Sequence, residues 1–139
     1  MNQFVLAFFV LCAAIAYSSA APPATKTYTT KYDNVDIEEI LKNDRLLEGY
    51  FKCLMDKGKC TPDGAELKKV LPDALKNKCS LCSEKQKAGS EKIIPYLIEN
   101  KPEMWNDLEA KFDPKGTYRS AYKPEADKRG FKLPASKKN

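Results

Sequence analysis

The chain has 139 residues, which suits one domain, and it carries 24 Lys and Arg against 19 Asp and Glu, for a net charge of +5. It contains no histidine, which excludes histidine-based acid–base catalysis, histidine-activated nucleophiles and histidine-ligated zinc. The net charge is too small to indicate nucleic-acid binding. Because the hydroxyl side chains also lack a candidate base, we do not expect an enzyme, a cofactor or a metal site.

The first twenty residues have the pattern of a secretory signal peptide. They contain no charged side chain, and the stretch from Phe4 to Ala16 is apolar throughout but too short to span a bilayer. Small residues follow it, and Ser18-x-Ala20 fits the small-x-small rule for cleavage after Ala20. We therefore expect a secreted protein, with an uncleaved anchor helix as the alternative.

Apolar residues at helical spacing then predict six short helices after an extended arm over residues 21–35. The predicted ranges are 36–42, 44–56, 62–77, 80–99, 102–112 and 117 to about 130. Asp36, Thr61 and Thr117 are expected to cap the first, third and sixth helices. Pro72 and Pro95 are expected to kink or split the third and fourth. No stretch alternates like a strand, so the sequence predicts one all-α domain over 21–130 and a loose basic tail over 131–139.

Four cysteines remain after removal of residues 1–20, namely Cys53, Cys60, Cys79 and Cys82. In a secreted chain an even number of cysteines indicates disulfides, and four cysteines permit three pairings. We favour the most local one, which joins Cys53 to Cys60 and Cys79 to Cys82. A zinc knuckle formed by all four thiolates, or redox use of the Cys79-x-x-Cys82 pair, is the less favoured alternative.

The mature chain resembles the insect chemosensory proteins, the olfactory-segment-D-like family. The resemblance depends on the four-cysteine spacing C-x6-C-x18-C-x2-C and on several short blocks between Tyr28 and Tyr122. These blocks are YTTKYDN at 28–34, NDRLL at 43–47, GKCT at 58–61, LPDAL at 71–75, EKQ at 84–86 and KFDPKGTY at 111–118.

The resemblance implies six helices around a narrow hydrophobic channel that carries small apolar molecules, such as fatty-chain odorants and pheromone components. From periodicity alone, the aromatic stripes would more often be core than cavity wall. However, aromatic and aliphatic residues spread over the whole domain match positions that lie near the channel in this family. The residues expected to contact a ligand are Tyr32, Ile40, Leu47, Tyr50, Leu67, Val70, Leu71, Ile94, Ile98, Trp105, Leu108 and Tyr122.

Two other functions are compatible with the sequence. One is a membrane-active, saposin-like protein, which the positive charge and basic tail permit, although local disulfides are unlike the bridges between distant helices in that class. The other is a developmental or regeneration factor that acts on a receptor, which the family resemblance also allows. We expect a monomer without stable membrane insertion and without a nucleic-acid partner.

Overall fold

A computed structural model describes residues 27–137, and these residues form six α-helices and no strand. The helices are α1 (Ile37–Lys42), α2 (Asp44–Leu54), α3 (Pro62–Asn77), α4 (Glu84–Asn100), α5 (Pro102–Phe112) and α6 (Thr117–Lys128). The predicted all-α fold of six short helices is therefore confirmed. The predicted signal peptide, residues 21–26 of the predicted arm and the last two residues of the tail lie outside the described residues.

Most helix starts follow from capping side chains. The Asp36 carboxylate accepts a hydrogen bond from the Glu39 amide at 3.1 Å, and the Thr61 hydroxyl accepts one from the Gly64 amide at 3.3 Å. The fourth helix begins at residue 84 rather than at the predicted residue 80. There Ser83 and Gln86 form a reciprocal capping box, in which each side chain accepts a hydrogen bond from the other residue's amide.

The prediction that Thr117 caps α6 is wrong. Thr117 is the first residue of the helix and follows Gly116, whose φ of 68° lies in the left-handed region that favours glycine. Asp113 provides the cap instead. Its carboxylate oxygens accept hydrogen bonds from the amides of Tyr118 at 3.1 Å and Arg119 at 2.7 Å.

Neither of the two prolines predicted to kink or split helices divides its helix into two. Pro72 lies inside α3 and Pro95 inside α4, and each helix continues through the proline. A proline lacks one backbone donor, which leaves the carbonyl four residues before it without its helical partner. Both helices nevertheless continue past the proline as single helices of 16 and 17 residues.

Both disulfides are local, as predicted, and join Cys53 to Cys60 and Cys79 to Cys82. The first connects the last turn of α2 to the loop before α3, and the second closes the turn between α3 and α4. The thiols are therefore committed to covalent bonds, and they are not available for the alternative zinc site.

The main core lies where α1, α2 and α4 meet. Its buried side chains are Ile40, Leu47 and Leu97, one from each of these helices. The partly buried residues that pack against it are Val35, Ile37, Leu41, Tyr50, Ile93, Tyr96, Met104, Trp105 and Leu108. Three of these, Met104, Trp105 and Leu108, come from α5, so α5 also covers this core.

The segment before α1 is held by hydrogen bonds to distant parts of the chain. The Tyr28 hydroxyl donates to the Asp73 carboxylate at 2.6 Å, and the Ser83 hydroxyl donates to Asp33 at 2.7 Å. The Gln86 amide group donates to the Thr29 carbonyl at 2.9 Å and to Asp33 at 3.1 Å. The segment therefore connects α3 to the start of α4 across the Cys79–Cys82 turn.

The last described residues, which belong to the segment expected to be a loose tail, contact the domain through polar groups. The Arg119 guanidinium donates to the Pro134 carbonyl at 2.5 Å, and Lys137 forms an ion pair with Asp107 at 2.9 Å. Alternating apolar residues at 131 and 133 allow this segment to pack against the domain despite its basic composition. Within residues 27–137, no helix is both long and apolar enough to span a membrane.

Candidate functional site: an apolar cavity between four helices

An apolar cavity of about 540 Å³ adjoins the main core, and α4 and α5 contribute residues to both. Its wall is formed by α3, α4, α5 and α6, with contributions from the end of α2 and from the segment after α6. The apolar residues of the wall are Leu54, Leu67, Leu71, Ala74, Leu75, Ile93, Ile94, Pro95, Leu97, Ile98, Trp105, Leu108, Phe112, Tyr118, Tyr122, Ala126, Phe131 and Leu133. The volume is within the range of about 300–1,000 Å³ that is usual for small-molecule sites.

Two aliphatic side chains of the wall remain accessible. Leu67 on α3 is 38% exposed and Ile94 on α4 is 41% exposed, whereas Leu97 and Ile98 on the same α4 wall are buried. Apolar surface left open at a concave site is typical of a ligand-binding groove. The helices here enclose a space instead of packing against each other, and an apolar molecule would cover these two side chains.

A partly buried ion pair lies on the wall between α5 and α6. The Glu109 carboxylate is 7% exposed, and both of its oxygens accept hydrogen bonds from Arg119 Nη1, at 2.7 and 2.8 Å. Because the same guanidinium also donates to the Pro134 carbonyl, one cation joins α5, α6 and the C-terminal segment. Three hydrogen bonds to protein groups hold this guanidinium, so the pair stabilises the wall.

Tyr122 on α6 contributes its ring to the wall, and its hydroxyl is already engaged. The hydroxyl donates to the Leu75 carbonyl at 3.0 Å, which connects α6 to α3. Burial, followed by the neighbouring Tyr118, raises the pKa of Tyr122 above its usual value. The phenol therefore stays neutral at physiological pH and presents an apolar face to the cavity.

Seven of the twelve predicted ligand contacts lie on the cavity wall. They are Leu67, Leu71, Ile94, Ile98, Trp105, Leu108 and Tyr122. The helical stripes of α3, α4, α5 and α6 bring these residues together from positions far apart in the sequence. Their contact with a ligand stays a prediction, but all seven residues share one location in the fold.

The structure does not bring the other five predicted contacts to the wall. Ile40 and Leu47 are buried in the main core, where α1 and α2 pack on α4. Val70 is half-buried on α3 outside the wall, and Tyr32 is half-buried in the turn before α1. An amphipathic stripe shows that a helix face is covered, but not whether a neighbouring helix or a cavity covers it.

Tyr50, the fifth of these residues, packs beside the main core and not on the cavity. Its hydroxyl donates to the Asp63 carboxylate, which connects α2 to the first turn of α3. Burial and this hydrogen bond raise the pKa of Tyr50 to about 12. Burial also acts to raise the pKa of Asp63, but hydrogen bonds from Thr61 and Tyr50 outweigh it and lower that pKa.

Several wall residues were not predicted from the sequence. Phe131 and Leu133 come from the segment that was expected to be loose, and Leu54 comes from the end of α2. The alternation of apolar and basic residues in FKL at 131–133 was the available signal for the first two. Leu54 gave no separate signal, because it lies on the same stripe as the core residue Leu47.

Comparison with known proteins gives consistent matches over most of the chain. Residues 28–120 match the model of the insect pheromone-binding family A10/OS-D. The chain is 59% identical over 110 residues to ejaculatory bulb-specific protein 3 of Drosophila melanogaster, an alignment that covers 79% of this chain and 87% of that protein.

Solved structures of similar proteins have the same fold. One is a chemosensory protein in complex with bromo-dodecanol, 48% identical, with a TM-score of 0.67 over 72% of this chain and all of that chain. Another is an antennal chemosensory protein of the moth Mamestra brassicae, 46% identical, with a TM-score of 0.63 over 78% of this chain and all of that chain.

Proposed function

Because this chain belongs to the insect pheromone-binding family A10/OS-D, we propose that it is a secreted carrier that solubilises small hydrophobic molecules in the cavity between α3, α4, α5 and α6. The chain is a binding protein and not an enzyme. Its preferred cargo is a molecule with one long hydrocarbon chain, of the size of fatty-chain odorants or pheromone components. Removal of residues 1–20 would release it from the cell as a monomer.

The observation that carries this proposal is the open apolar wall. Leu67 and Ile94 remain exposed to solvent on the wall of a cavity of about 540 Å³. An apolar molecule in the cavity would cover both side chains, and removal of apolar surface from water favours binding. Support comes from the similar chemosensory protein whose structure was solved in complex with bromo-dodecanol, a twelve-carbon chain with a polar end.

The expected affinity follows from the buried hydrocarbon. Transfer of a twelve-carbon chain from water stabilises the complex by roughly 9 to 10 kcal/mol, at about 0.8 kcal/mol per CH₂ group. Loss of translational freedom and ordering of the chain oppose binding by several kcal/mol. A dissociation constant near micromolar, equivalent to about 8 kcal/mol, is therefore the tightest binding we expect for such a ligand.

A titration of the secreted protein tests this proposal. The 139-residue chain is expressed in insect cells, and the protein is collected from the medium. Its N-terminus is sequenced to test cleavage after Ala20. Alcohols of about eight to eighteen carbons are then added while the fluorescence of Trp105, the single tryptophan, is recorded. We expect a saturable change whose midpoint falls with chain length, and no change across the series would contradict the proposal.

Two matched variants locate the site. Leu67→Glu places a charge on the cavity wall, and Leu46→Glu places the same charge on α2, away from the cavity. Both leucines are 38% exposed in the native protein, so the two substitutions disturb folding to a similar extent. We expect Leu67→Glu to weaken binding by more than tenfold and Leu46→Glu to leave it within about twofold. Equal effects of the two variants would place the ligand elsewhere.

A further inference from the structure

Four cationic side chains line the cavity, and three of them are paired with carboxylates. These three pairs are Lys87 with Glu84, Arg119 with Glu109 and Arg129 with Glu125. The fourth cation, Lys78, forms no ion pair with any residue from 27 to 137. Its ammonium is therefore the charged group of the wall that can take a counter-ion from a ligand.

The carboxylates on the wall do not compete for this ammonium, because each of them already has a partner. Glu91 and Glu125 lie against Arg129, at 3.5 and 2.7 Å. Asp113 accepts hydrogen bonds from the first amides of α6, and Glu109 is held by Arg119.

The Lys78 ammonium lies beside the cavity wall, where it faces α6. Its Nζ is 5.8 Å from the centre of the Tyr122 ring, which belongs to the same wall. The backbone beneath it is fixed, because the Lys78 amide donates to the Ala74 carbonyl and the next residue, Cys79, is bonded to Cys82. Lys78 is exposed, so a head group can reach the ammonium and still contact water.

An apolar stripe on α3 leads to this ammonium. Leu67, Leu71 and Leu75 line the cavity at four-residue spacing, and Lys78 follows three residues later. Residues at four-residue spacing lie on one face of a helix, which rises about 12 Å from Leu67 to Leu75 at about 1.5 Å per residue. A hydrocarbon chain can therefore lie along the leucines with its polar end at Lys78.

The Tyr118 hydroxyl, also on the wall, has no hydrogen-bond partner in the described part of the chain. A phenol can donate to a neutral oxygen or to a carboxylate, so it does not by itself separate an alcohol from an acid. An ammonium separates them, because it attracts a carboxylate by charge as well as by hydrogen bonding. Discrimination by charge therefore depends on Lys78.

From this arrangement we propose that Lys78 determines a preference for long-chain ligands with an anionic head group, a carboxylate in particular, which its ammonium binds at the exposed edge of the cavity. This inference rests on the proposed carrier function and adds the residue that recognises the polar end. A carboxylate buried deep in the cavity would be unfavourable, but at an exposed ammonium it keeps part of its hydration. An alcohol of the same length fills the same space without the attraction between charges.

Dodecanoate and dodecanol test this inference, because they have the same number of carbons and differ in the charge of the head group. Their affinities are measured by displacement of a fluorescent naphthylamine reporter, at low salt and about pH 8, where the carboxylate is ionised. Lys78→Gln removes the charge, and Lys78→Arg keeps it. We expect Lys78→Gln to lower the ratio of dodecanoate to dodecanol affinity about fourfold, the size typical of an exposed ion pair, and Lys78→Arg to keep the ratio within about 1.5-fold.

Lys76→Gln is the matched control. Lys76 lies in the last turn of α3, two residues before Lys78, and it is also exposed but does not line the cavity. Its substitution removes the same charge from the same helix end, so the affinity ratio should stay within about 1.5-fold of wild type. Equal losses in Lys76→Gln and Lys78→Gln would indicate attraction to the overall positive charge and would overturn the inference.

A measurement on the wild-type protein does not depend on whether the variants fold. The carboxyl carbon of ¹³C-labelled dodecanoate is followed by NMR during a pH titration of the complex. A neighbouring ammonium lowers the pKa of a carboxyl group, whereas burial among apolar side chains raises it. We expect the bound acid to have a pKa below that of a short soluble fatty acid, and Lys78→Gln to remove this difference.

A raised pKa of the bound acid, or an unchanged affinity ratio in Lys78→Gln, would overturn the inference and leave the carrier function intact. Failure of both dodecanoate and dodecanol to bind would overturn the two together.

Discussion

The ion pair between Glu109 and Arg119 offers a quantitative test of how the cavity wall is held. Replacement of Glu109 by glutamine keeps the size and one acceptor oxygen of the side chain but removes its charge. The Arg119 guanidinium, which is 22% exposed, then lies in a mostly apolar wall without a counter-ion. Because Arg119 also holds the Pro134 carbonyl, the effect should extend to the C-terminal segment.

The expected cost follows from the burial of the pair. Removal of one partner from a fully buried ion pair costs about 3–5 kcal/mol, because a charge is left uncompensated. Here the guanidinium retains some water and its bond to Pro134, so we expect Glu109→Gln to lower the free energy of unfolding by about 2 kcal/mol. At about 4 °C per kcal/mol for a domain of this size, the melting temperature should fall by roughly 8 °C.

Thermal and urea unfolding followed by circular dichroism measure this change. Glu125→Gln is the matched control, because Glu125 forms an exposed pair with Arg129 one helical turn away, and its loss should change the melting temperature much less. The double variant Glu109→Leu with Arg119→Met should recover most of the loss, since it leaves no charge unpaired. If Glu109→Gln were no more destabilising than Glu125→Gln, the reasoning about the wall would be refuted.

Two further predictions concern the α2–α3 corner. Replacement of both Cys53 and Cys60 by alanine should lower the free energy of unfolding by at least about 2 kcal/mol. Loop entropy alone gives about that value even for the short loop that this bridge closes, and loss of packing at Cys53, which is 2% exposed, adds to it. Calorimetry that shows a smaller loss would contradict this. The Tyr50 phenol should titrate near pH 12, so its stabilising contribution is present below pH 10 and is lost as the pH rises through 12. Asp63→Asn should bring the Tyr50 pKa back toward 10 in an NMR titration, and an unchanged value would exclude Asp63 as a cause.

The helices were predictable because their signals are local. Thr61 and Pro62 mark the start of α3, and the predicted range of that helix is the observed one. The start of α4 was misplaced because Lys78 and Cys79 both have left-handed backbone conformations, which the sequence around the Cys79–Cys82 bridge does not announce. Asp113 was missed as a cap because it reaches across a glycine turn to residues five and six positions later.

The cavity was harder to predict because it depends on which helix faces meet. The stripe that contains Leu47 faces the core between α1 and α4, while the stripe that contains Leu71 faces the cavity. Both have the same amphipathic pattern, so periodicity could not separate them. The sequence also could not show that the Trp105 indole nitrogen is buried without a hydrogen-bond partner among residues 27–137, because that depends on how the neighbouring residues pack.

Because the cavity wall is exposed, the free energy of unfolding of the protein should depend on whether a ligand is bound. Of residues 27–137, seven apolar side chains are buried, whereas Leu67 and Ile94 remain open on the wall. A bound hydrocarbon would act as a replaceable part of the interior and would raise the free energy of unfolding by about 2.7 kcal/mol at a hundredfold excess over its dissociation constant. Loaded and empty proteins would then differ in their resistance to heat and proteases, so delivery of the cargo would also shorten the lifetime of the carrier.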